Sequence, residues 1–356
     1  MKIGIDISQA IYGTGVSTYT ENLIKALLSL DKKNQYLLFG GSLRRRAELK
    51  AFVSRLKGNF KSRLFLFPPT LADILWNRLH ILPIEKLVGD LDVFHSSDWA
   101  QPPSKALKVT TIHDLVPLKF PQHSHPRIVS AHKARMKWVK KEVDRVIVPS
   151  KATKEDLLIK GIKEERIVVI PEAPDPIFKP AKKTAINKLK RKYRISGGYL
   201  LAVGVNPRKN TERIMAAYEK MRAGLDLKLV FIGRPYQKVE PRRGVRFVGH
   251  VETKEMPVFY SAAEALVYPS LYEGFGLPVL EAFACRTPVV TSNISSLPEI
   301  SGNAAILVDP YNVDSIAEGI EKALKQRKKL IRKGLARVKQ FSWKETAKKT
   351  LGVYRR

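Results

Sequence analysis

Short apolar segments alternate with longer amphipathic segments along most of the chain. Continuous apolar runs of this kind are typical of strands that are buried on both faces, and the amphipathic segments are typical of helices that cover them. The alternation predicts an α/β protein with parallel, doubly wound sheets. The predicted strands read KIGIDI, YLLFG, RLFLF, DVFH, KVTTIH and DRVIVPS in the first half, and YLLAVGV, LKLVFIG, VRFVGH, ALVYPS and TPVVTS in the second half.

A proline-rich stretch, PEAPDPIFKP at residues 171–180, separates the two series of strands. A chain of 356 residues exceeds what one hydrophobic core usually accommodates. We therefore predict two Rossmann-like domains, residues 1–180 and 181–340, and a C-terminal helix at 341–356 that could pack back on the first domain. Ligands of such sheets bind at the carboxyl ends of the strands, which predicts a cleft where the two domains face each other.

The chain is strongly basic, with 64 Lys and Arg against 33 Asp and Glu and a formal net charge of +31. This balance favours anionic partners, whether nucleic acid, a lipid surface or a phosphorylated small molecule. The apolar runs are far shorter than the ~20 residues that a membrane-spanning helix requires, and the opening MKIGIDIS is expected to be a strand rather than a signal peptide. The single cysteine, Cys285, excludes an internal disulfide and fits a cytoplasmic protein.

Two glutamates flank a glycine-rich and apolar run in the stretch LYEGFGLPVLEAFACRTPVV. Gly274 and Gly276 allow a ligand to approach the backbone, and Pro278 suits the first turn of a following helix, whose start favours an anion. Glu273 lies in the predicted loop and Glu281 about one turn into the helix. A carboxylate can accept hydrogen bonds from two adjacent hydroxyls of a sugar or a ribose. The alternative is a solvated loop glutamate and an accidental helix glutamate.

A second candidate site follows the first strand of the second half, in VGVNPRKN. Gly204 ends the strand, and Arg208 and Lys209 are adjacent cations in the turn. Arg can bind phosphate oxygens through two N–H groups and Lys adds a compact charge, so the pair could hold a diphosphate. The alternative, in a chain this basic, is two cations on a solvated turn.

Two motifs in the first half are further candidates. YGTGVSTYTENL places Gly13 and Gly15 between the first strand and a helix, where exposed amides could contact a phosphate or an acceptor, although the spacing is not that of a dinucleotide-binding fingerprint. TIHDLVP ends another strand with His113 and Asp114. His113 is either a site residue or a buried histidine that the backbone satisfies, and Asp114 is expected to be a structural hydrogen-bond acceptor.

Together these segments resemble the retaining glycosyltransferases of family 4, which have the GT-B fold. The resemblance runs through VGVNPRKN, VRFVGHV, ALVYPSLYEGFGLPVLEAFACRTPVV and SSLPEISGNAAILVDP, and it includes GIDIS, GTGVSTYTENL and TIHDLVP in the first half. It implies transfer of a sugar from a nucleotide diphosphate sugar to an acceptor hydroxyl, with retention of the anomeric configuration. No essential metal is expected, since HSSD at residues 95–98 has no third ligand at a suitable spacing.

The resemblance also implies roles for individual residues. Glu273 would contact hydroxyls of the transferred sugar, Glu281 the ribose, and His113 the exocyclic end of the sugar near the anomeric carbon. Many family members carry an arginine directly after the strand glycine, where this chain has Val205, and Arg208 is the predicted substitute. The predicted catalytic residues are Glu273, His113, Arg208 and Lys209, and the predicted nucleotide-binding residues are Glu281, Gly274, Phe275, Gly276, Leu277, Gly13, Gly15 and Gly204.

The expected donor is GDP-mannose, with UDP-linked glucose, galactose or N-acetylglucosamine as alternatives. The expected acceptor is a glycan or a lipid-linked sugar in cell-surface polysaccharide synthesis. Two other classes stay open: a GT-B sugar-nucleotide epimerase or glycan phosphorylase, and a non-catalytic basic protein that binds nucleic acid. No RNA-binding aromatic motif or zinc-finger spacing supports the last class.

Two basic amphipathic segments suggest attachment to an anionic membrane surface at the inner face of the cell membrane. In LRRRAELKAFVSRLKGNFKSR, residues 43–63, a helix would present Leu49, Phe52, Val53 and Leu56 on one face with cations around it, as in an interfacial helix. KARMKWVKKEVDR, residues 133–145, adds Trp138 and more cations. The alternative is that the apolar face covers the sheet of its own domain.

Overall fold

The computed structural model of the protein describes residues 1–222, 226–234, 240 and 242–355. These residues form two units, and each unit has its own parallel sheet. The first unit contains Met1–Glu172 and the C-terminal segment that begins at Ser342, and the second unit contains Ala173–Phe341.

The first unit is built on seven parallel strands: β1 (Lys2–Asp6), β2 (Gln35–Gly41), β3 (Phe60–Phe65), β4 (Val93–Ser96), β5 (Leu107–Thr111), β6 (Arg145–Val148) and β7 (Ile167–Val169). Their order across the sheet is β3, β2, β1, β4, β5, β6, β7. The order reverses between β1 and β4, and doubly wound sheets bind ligands at the carboxyl ends of strands beside such a reversal.

The helices of the first unit lie between these strands. The last helix of the chain, Trp343–Tyr354, also belongs to this unit, where it packs on the first helix through the edge of Trp343 against Tyr19, with ring centres 5.8 Å apart. The other helical elements are α1 (Gly15–Leu30), α2 (Arg46–Ser54), α3 (Pro69–Ala72), a π-helical turn (Asp73–Arg78), α4 (Glu85–Val88), α5 (Val116–Lys119), α6 (Pro126–Glu142) and α7 (Lys151–Ile159).

The second unit has six parallel strands: β8 (Gly198–Val203), β9 (Leu227–Ile232), β10 (Val245–Phe247), β11 (Ala265–Tyr268), β12 (Val289–Ser292) and β13 (Ile306–Val308), in the order β10, β9, β8, β11, β12, β13. Its helices are α8 (Lys183–Lys192), α9 (Thr211–Met221), α10 (Met256–Ala262), α11 (Leu277–Ala284), α12 (Leu297–Ser301), α13 (Val313–Lys325) and α14 (Arg327–Val338).

The continuous apolar runs of the sequence arise because both faces of each sheet are covered. Along β8, Tyr199 and Leu201 belong to one hydrophobic core, whereas Leu200 and Ala202 belong to the core on the opposite face. Successive side chains of a strand point to opposite faces, so a sheet that is covered on both sides needs an apolar residue at every position. The prediction of parallel, doubly wound sheets is therefore confirmed.

The boundary between the units differs from the predicted one near residue 180. The first unit ends at Glu172, and the segment from Ala173 belongs to the second unit. Phe178 is buried in the core of the second unit, with its ring centre 5.8 Å from that of Tyr260. Most of the proline-rich stretch therefore belongs to the second unit.

The expectation of an interfacial helix over residues 43–63 is wrong. Helix α2 covers only Arg46–Ser54, and strand β3 occupies the end of the segment. Leu49, Phe52 and Leu56 are buried in their own unit. Because these apolar side chains already cover the sheet, they are not available to enter a bilayer.

In the second predicted membrane segment, residues 133–145, the aromatic residue also packs against its own unit. Trp138 donates a hydrogen bond from Nε1 to the carbonyl of Asn77 at 2.7 Å and stacks on His80, with ring centres 3.6 Å apart. Arg135 in the same helix is buried. Among the helices that the structure describes, none is both long and apolar enough to cross a membrane.

Candidate active site

The turn after β8 positions the two predicted cations. Gly204 has a φ of 87°, and a Cβ atom there would lie 2.8 Å from Cγ of Lys209. Asn206 then caps a short 3-10 turn, Pro207–Lys209, by accepting a hydrogen bond from the backbone N–H of Lys209 at 3.0 Å. The left-handed glycine and the cap together place both cationic side chains at the carboxyl end of the strand.

Both cations contact the same carboxylate. Nζ of Lys209 lies 2.6 Å from Oε1 of Glu273, and Nη1 of Arg208 lies 3.0 Å from the same oxygen. Arg208 also donates to the carbonyl of Tyr272 at 2.6 Å. The ammonium group of Lys209 donates to the hydroxyl of Tyr268 and lies 4.5 Å from the centre of that ring. The structure therefore brings together three of the predicted catalytic residues.

The charge state of this cluster follows from its contacts. Burial opposes ionisation of Glu273, but the charges of Lys209 and Arg208 outweigh it and lower the pKa of the Glu273 carboxyl to about 2. With the carboxyl ionised, the two cations and one anion leave a net positive charge. A net positive cluster suits an anionic ligand, and its low exposure reduces screening by solvent and salt.

The loop that carries Glu273 is fixed through its backbone. The N–H of Glu273 donates to Oγ of Ser295 at 3.1 Å, and the Ser295 hydroxyl donates back to the carbonyl of Glu273 at 2.8 Å. Ser296 donates to the carbonyl of Phe275 at 2.8 Å. The two serines lie in SSLPEISG, but nothing in the sequence showed that they hold the loop of Glu273.

Helix α11 begins directly after this loop. Gly276 has a φ of 104° and a Cβ there would lie 2.8 Å from the side chain of Leu297, so the position requires glycine. Leu277 is the first residue of the helix and Pro278 lies in its first turn. Gly274 and Phe275, in the same loop, are buried. The predicted strand, loop and helix start are thus present.

Glu281 lies in the second turn of α11 and has a different environment from Glu273. Its Oε2 accepts a hydrogen bond from the hydroxyl of Tyr260 at 2.7 Å. Burial raises the pKa of the Glu281 carboxyl to about 7, against the opposing effect of the Tyr260 hydrogen bond. The two glutamates therefore differ in charge at neutral pH: the Glu273 carboxyl is ionised, whereas the Glu281 carboxyl, with its pKa of about 7, is only partly ionised.

The two predicted site glycines of the first unit, Gly13 and Gly15, lie at the exposed start of a helix. Gly13 has a φ of 69° and nothing surrounds the position of its missing Cβ. Thr14 caps α1 by accepting a hydrogen bond from the backbone N–H of Ser17, and Gly15 is the first residue of the helix. The prediction that both glycines lie in the loop is therefore correct for Gly13 only.

His113 follows β5 and is buried beside a carboxylate. Its Nδ1 lies 2.8 Å from Oε1 of Glu172, and its ring meets the ring of Tyr19 edge-on at 4.6 Å. Burial opposes protonation, but Glu172 raises the pKa of His113. Among the described residues, Nε2 of His113 is buried without a hydrogen-bond partner. Asp114 accepts a hydrogen bond from the N–H of Val116 at 2.8 Å, in agreement with its predicted structural role.

The contact of His113 with Glu172 could not be predicted from the sequence. Glu172 lies in PEAPDPIFKP, the stretch that separates the two predicted series of strands. The two residues are 59 positions apart, and only the pairing of β5, β6 and β7 brings them together. Sequence spacing carries no signal for a contact of this kind.

The HSSD stretch has structural partners. Asp98 forms an ion pair with the buried guanidinium of Arg135 at 3.0 Å, and Arg135 also donates to Oγ1 of Thr110 at 2.7 Å. The two ring nitrogens of His95 lie 2.7 Å from the hydroxyl of Tyr354 and 2.8 Å from that of Thr111. Within the described parts of the chain, no group of three or more His, Cys, Asp and Glu is arranged to hold a metal ion.

The predicted site residues thus fall into two sets. Arg208, Lys209 and Glu273 contact one another in the second unit, which also contains Glu281 and the loop before α11. His113 belongs to the first unit, as do the two glycines near the start of α1. The set in the second unit contains two cations, the ionised carboxylate of Glu273 and the titratable carboxyl of Glu281. The set in the first unit contains the buried imidazole of His113.

Two family models match the chain in succession. Residues 13–176 match the model described as "Glycosyltransferase Family 4", and residues 188–337 match the model described as "Glycosyl transferases group 1". Among curated relatives, "O-antigen chain mannosyltransferase B" of Escherichia coli is 30% identical, with 96% of each chain covered. "MMP alpha-(1->4)-mannosyltransferase" of Mycolicibacterium hassiacum is 28% identical over 61% of this chain and 55% of that relative.

Solved structures show the same fold over the whole chain. Sucrose-phosphate synthase from Thermosynechococcus elongatus aligns with a TM-score of 0.72 at 19% identity, covering 100% of this chain and 98% of that one. Anabaena HepE in complex with UDP and glucose aligns with a TM-score of 0.71 at 14% identity, covering 99% of both chains. These similarities confirm the GT-B fold class that the sequence predicted.

Proposed function

Because the chain belongs to the glycosyltransferases of family 4 and is a hexosyltransferase, we propose that it transfers mannose from GDP-mannose to a hydroxyl of a glycan or lipid-linked acceptor in cell-surface polysaccharide synthesis. The names of the mannosyltransferase relatives support the sugar, and the O-antigen relative supports the class of product. A UDP-linked hexose is the alternative donor, since the structurally similar HepE is known in complex with UDP and glucose.

The observation that carries this proposal is the cluster of Arg208, Lys209 and Glu273. Two cations beside a glycine-bounded loop suit the diphosphate of a sugar nucleotide. A carboxylate within hydrogen-bond distance of both cations lies where hydroxyls of the attached sugar would find an acceptor. In a basic protein that only binds nucleic acid, a buried carboxylate at the centre of the cationic site would weaken the attraction for phosphate.

In the proposed reaction, the bond between the anomeric carbon and the diphosphate oxygen breaks, and its electron pair goes to the diphosphate. The acceptor oxygen forms a bond to the same carbon on the same face, so the configuration is retained. The acceptor proton passes to the departing diphosphate. Arg208 and Lys209 stabilise the charge that accumulates on that group, and this is the largest contribution we assign to the protein.

We assign Glu273 an orienting role and not a nucleophilic one. A carboxyl with a pKa of about 2 is a weak base and is fully ionised at neutral pH. Such a group suits acceptance of hydrogen bonds from sugar hydroxyls and stabilisation of positive charge on the sugar ring. Glu281 is proposed to bind the ribose, and His113, oriented by Glu172, to donate a hydrogen bond to the transferred sugar.

A screen of sugar nucleotides tests the donor. At a hundredfold excess over its dissociation constant, a ligand that binds only the native state adds about 2.7 kcal/mol to the free energy of unfolding. We expect GDP-mannose to raise the melting temperature more than UDP-glucose, UDP-galactose or UDP-N-acetylglucosamine at equal concentration. A screen in which no sugar nucleotide shifts the melting temperature would contradict the proposed function.

The fate of the bound sugar nucleotide separates transfer from the alternative activities. Transfer predicts that release of GDP depends on added acceptor and that NMR shows an α-linked product from the α-linked donor. Conversion of the sugar nucleotide without acceptor would indicate an epimerase. Phosphate-dependent cleavage of a glycan would indicate a phosphorylase.

Glu281 makes nucleotide affinity depend on pH. Its pKa is raised to about 7, so the carboxyl is protonated below that pH and can no longer accept hydrogen bonds from both ribose hydroxyls. We expect the dissociation constant for GDP to be constant above pH 7 and to rise as the pH falls, by at most about tenfold per pH unit. Titration calorimetry from pH 5.5 to 8.5 measures this dependence.

The matched control for the pH experiment is Glu281→Gln. Titration of the GDP phosphate affects both proteins equally, so the difference between the two pH profiles isolates Glu281. The variant should bind GDP more weakly at pH 8 and should lose the component of the profile near pH 7. Parallel profiles for the two proteins would remove Glu281 from the nucleotide site.

We propose that the protein works in the cytoplasm at the inner face of the cell membrane. The net charge of +31 attracts an anionic leaflet. Of the cations in α6, Arg127, Lys133, Lys137, Lys140 and Lys141 are exposed and suit such contact.

A further inference from the structure

The first unit contains a cavity that the proposed roles do not use. Its volume is about 550 Å³, within the range of roughly 300–1,000 Å³ typical of small-molecule sites. It lies at the carboxyl ends of β1, β2 and β4, beside the reversal of strand order. The aromatic residues in its wall are Tyr12, Phe39, Phe67, Trp76 and Trp99.

The wall of the cavity is mostly apolar, and its polar side chains fall into two groups. Asp6, Ser8, Gln9 and Ser97 line it where β1 and β4 end. The residues after β3, the π-helical turn Asp73–Arg78 and the start of α6 supply most of the apolar wall. The same segments contribute the second polar group, which consists of Thr70, Asp73, Arg78, Arg127 and His132. A site for a free sugar needs polar partners on most sides, whereas this cavity suits a molecule with one polar end and a long apolar part.

Exposed aliphatic residues extend the apolar wall to the surface. Ile74 and Ile128 line the cavity and are 47% and 48% exposed. Of the fourteen large hydrophobic residues that are exposed in the described chain, five lie in the single stretch 66–81: Leu66, Leu71, Ile74, Leu79 and Ile81. Scattered exposed apolar residues are normal, but a concentration beside an apolar cavity marks a ligand or interaction surface.

Positive charge borders the same opening. Arg127 is exposed, lines the cavity and precedes Ile128 in α6. Arg78 lines it as well, where its charge is balanced by Asp73 at 2.8 Å and it donates to Oγ of Ser130 at 3.0 Å. An apolar channel with a cation at its edge is complementary to a hydrocarbon chain that carries a phosphate.

We propose that this cavity binds the hydrocarbon chain of a lipid-linked acceptor, with the chain leaving between Ile74 and Ile128 and its phosphate beside Arg127. This proposal rests on the proposed function, since it identifies the acceptor of that transfer as an amphiphile with a phosphate. The sequence predicted that the first unit contacts lipid through α2, whose apolar residues are buried in the structure. The proposal assigns this contact instead to the stretch 66–81 and to α6.

Binding of farnesyl phosphate tests the cavity without any transfer reaction. The four tryptophans of the chain, at positions 76, 99, 138 and 343, all belong to the first unit, and two of them line the cavity. We expect farnesyl phosphate to change the tryptophan fluorescence saturably below its micelle concentration, and inorganic phosphate to have no effect at the same concentration. Trp99→Phe should remove much of the signal.

Two charge substitutions locate the binding site. Ile74→Glu and Ile128→Glu each put an anion beside the apolar channel and the ligand phosphate, and each should weaken binding at least about tenfold. Ile159→Glu is the matched control, because Ile159 is 81% exposed in the same unit and does not line the cavity. All three positions are exposed, so the variants should melt near the temperature of the parent protein.

The result for farnesyl phosphate and the result for GDP-mannose are independent. Melting with GDP-mannose is measured on the same variants, and the shift should be unchanged. Binding of GDP-mannose without binding of farnesyl phosphate overturns the cavity proposal and leaves the donor proposal intact. A second outcome also overturns the cavity proposal: farnesyl phosphate shows no saturable binding, and the two isoleucine variants bind anionic phosphatidylglycerol vesicles as well as the parent protein does. That outcome would indicate that the protein contacts a bilayer through another surface.

Discussion

Glu273→Gln is expected to lower turnover by roughly 10²–10³-fold while the protein still binds GDP. The substitution removes the anion that both Arg208 and Lys209 contact, so the sugar loses a charged hydrogen-bond acceptor at the moment when positive charge develops on its ring. The two cations are no longer balanced by a carboxylate. We therefore expect the affinity for GDP to stay the same or to increase, which a purely structural defect would not produce.

Single-turnover kinetics and calorimetry with GDP separate the two effects of this substitution. Glu281→Gln is the comparison, since its expected loss is in nucleotide affinity and its turnover at saturating donor should be much closer to that of the parent. Near-normal turnover of Glu273→Gln, or a parallel loss of GDP binding, would falsify the assignment of Glu273 to the transferred sugar.

Arg135→Met is expected to reduce the stability of the first unit by about 3–5 kcal/mol. The guanidinium is buried and contacts Asp98 at 3.0 Å and Thr110 at 2.7 Å. Removing it leaves the carboxylate of Asp98 buried without its charge partner, and the cost of that uncompensated charge dominates the effect. Because all four tryptophans belong to the first unit, urea unfolding followed by tryptophan fluorescence reports on this unit alone.

Two further variants show whether the buried charge is the cause. Arg135→Met combined with Asp98→Leu removes both charges and should recover much of the lost stability. Lys25→Met removes a cation from an exposed pair with Glu21 at 3.1 Å and should change stability by less than about 1 kcal/mol. Equal losses for Arg135→Met and Lys25→Met would show that the buried pair contributes no more than a surface pair.

The sequence by itself determined the class of fold and the local structure around α11. Strands buried on both faces need apolar residues at successive positions, so β8 and β11 are visible as YLLAVGV and ALVYPS. The structure around α11 is also determined by residues that are close together in the chain. Gly276 adopts the left-handed conformation at the start of the helix, and Glu281 follows one turn later. Local spacing of this kind can be read directly from the order of residues.

The tertiary structure alone decided which surfaces are exposed and which distant groups meet. Whether Leu49 and Phe52 face solvent or a sheet depends on what packs against α2, and amphipathic spacing is the same in both cases. The pairs His113 with Glu172 and Asp98 with Arg135 join residues 59 and 37 positions apart, and burial in the folded chain opposes protonation of His113. Burial and long-range contact are properties of the folded chain, because they arise only when separate strands and helices exclude water together.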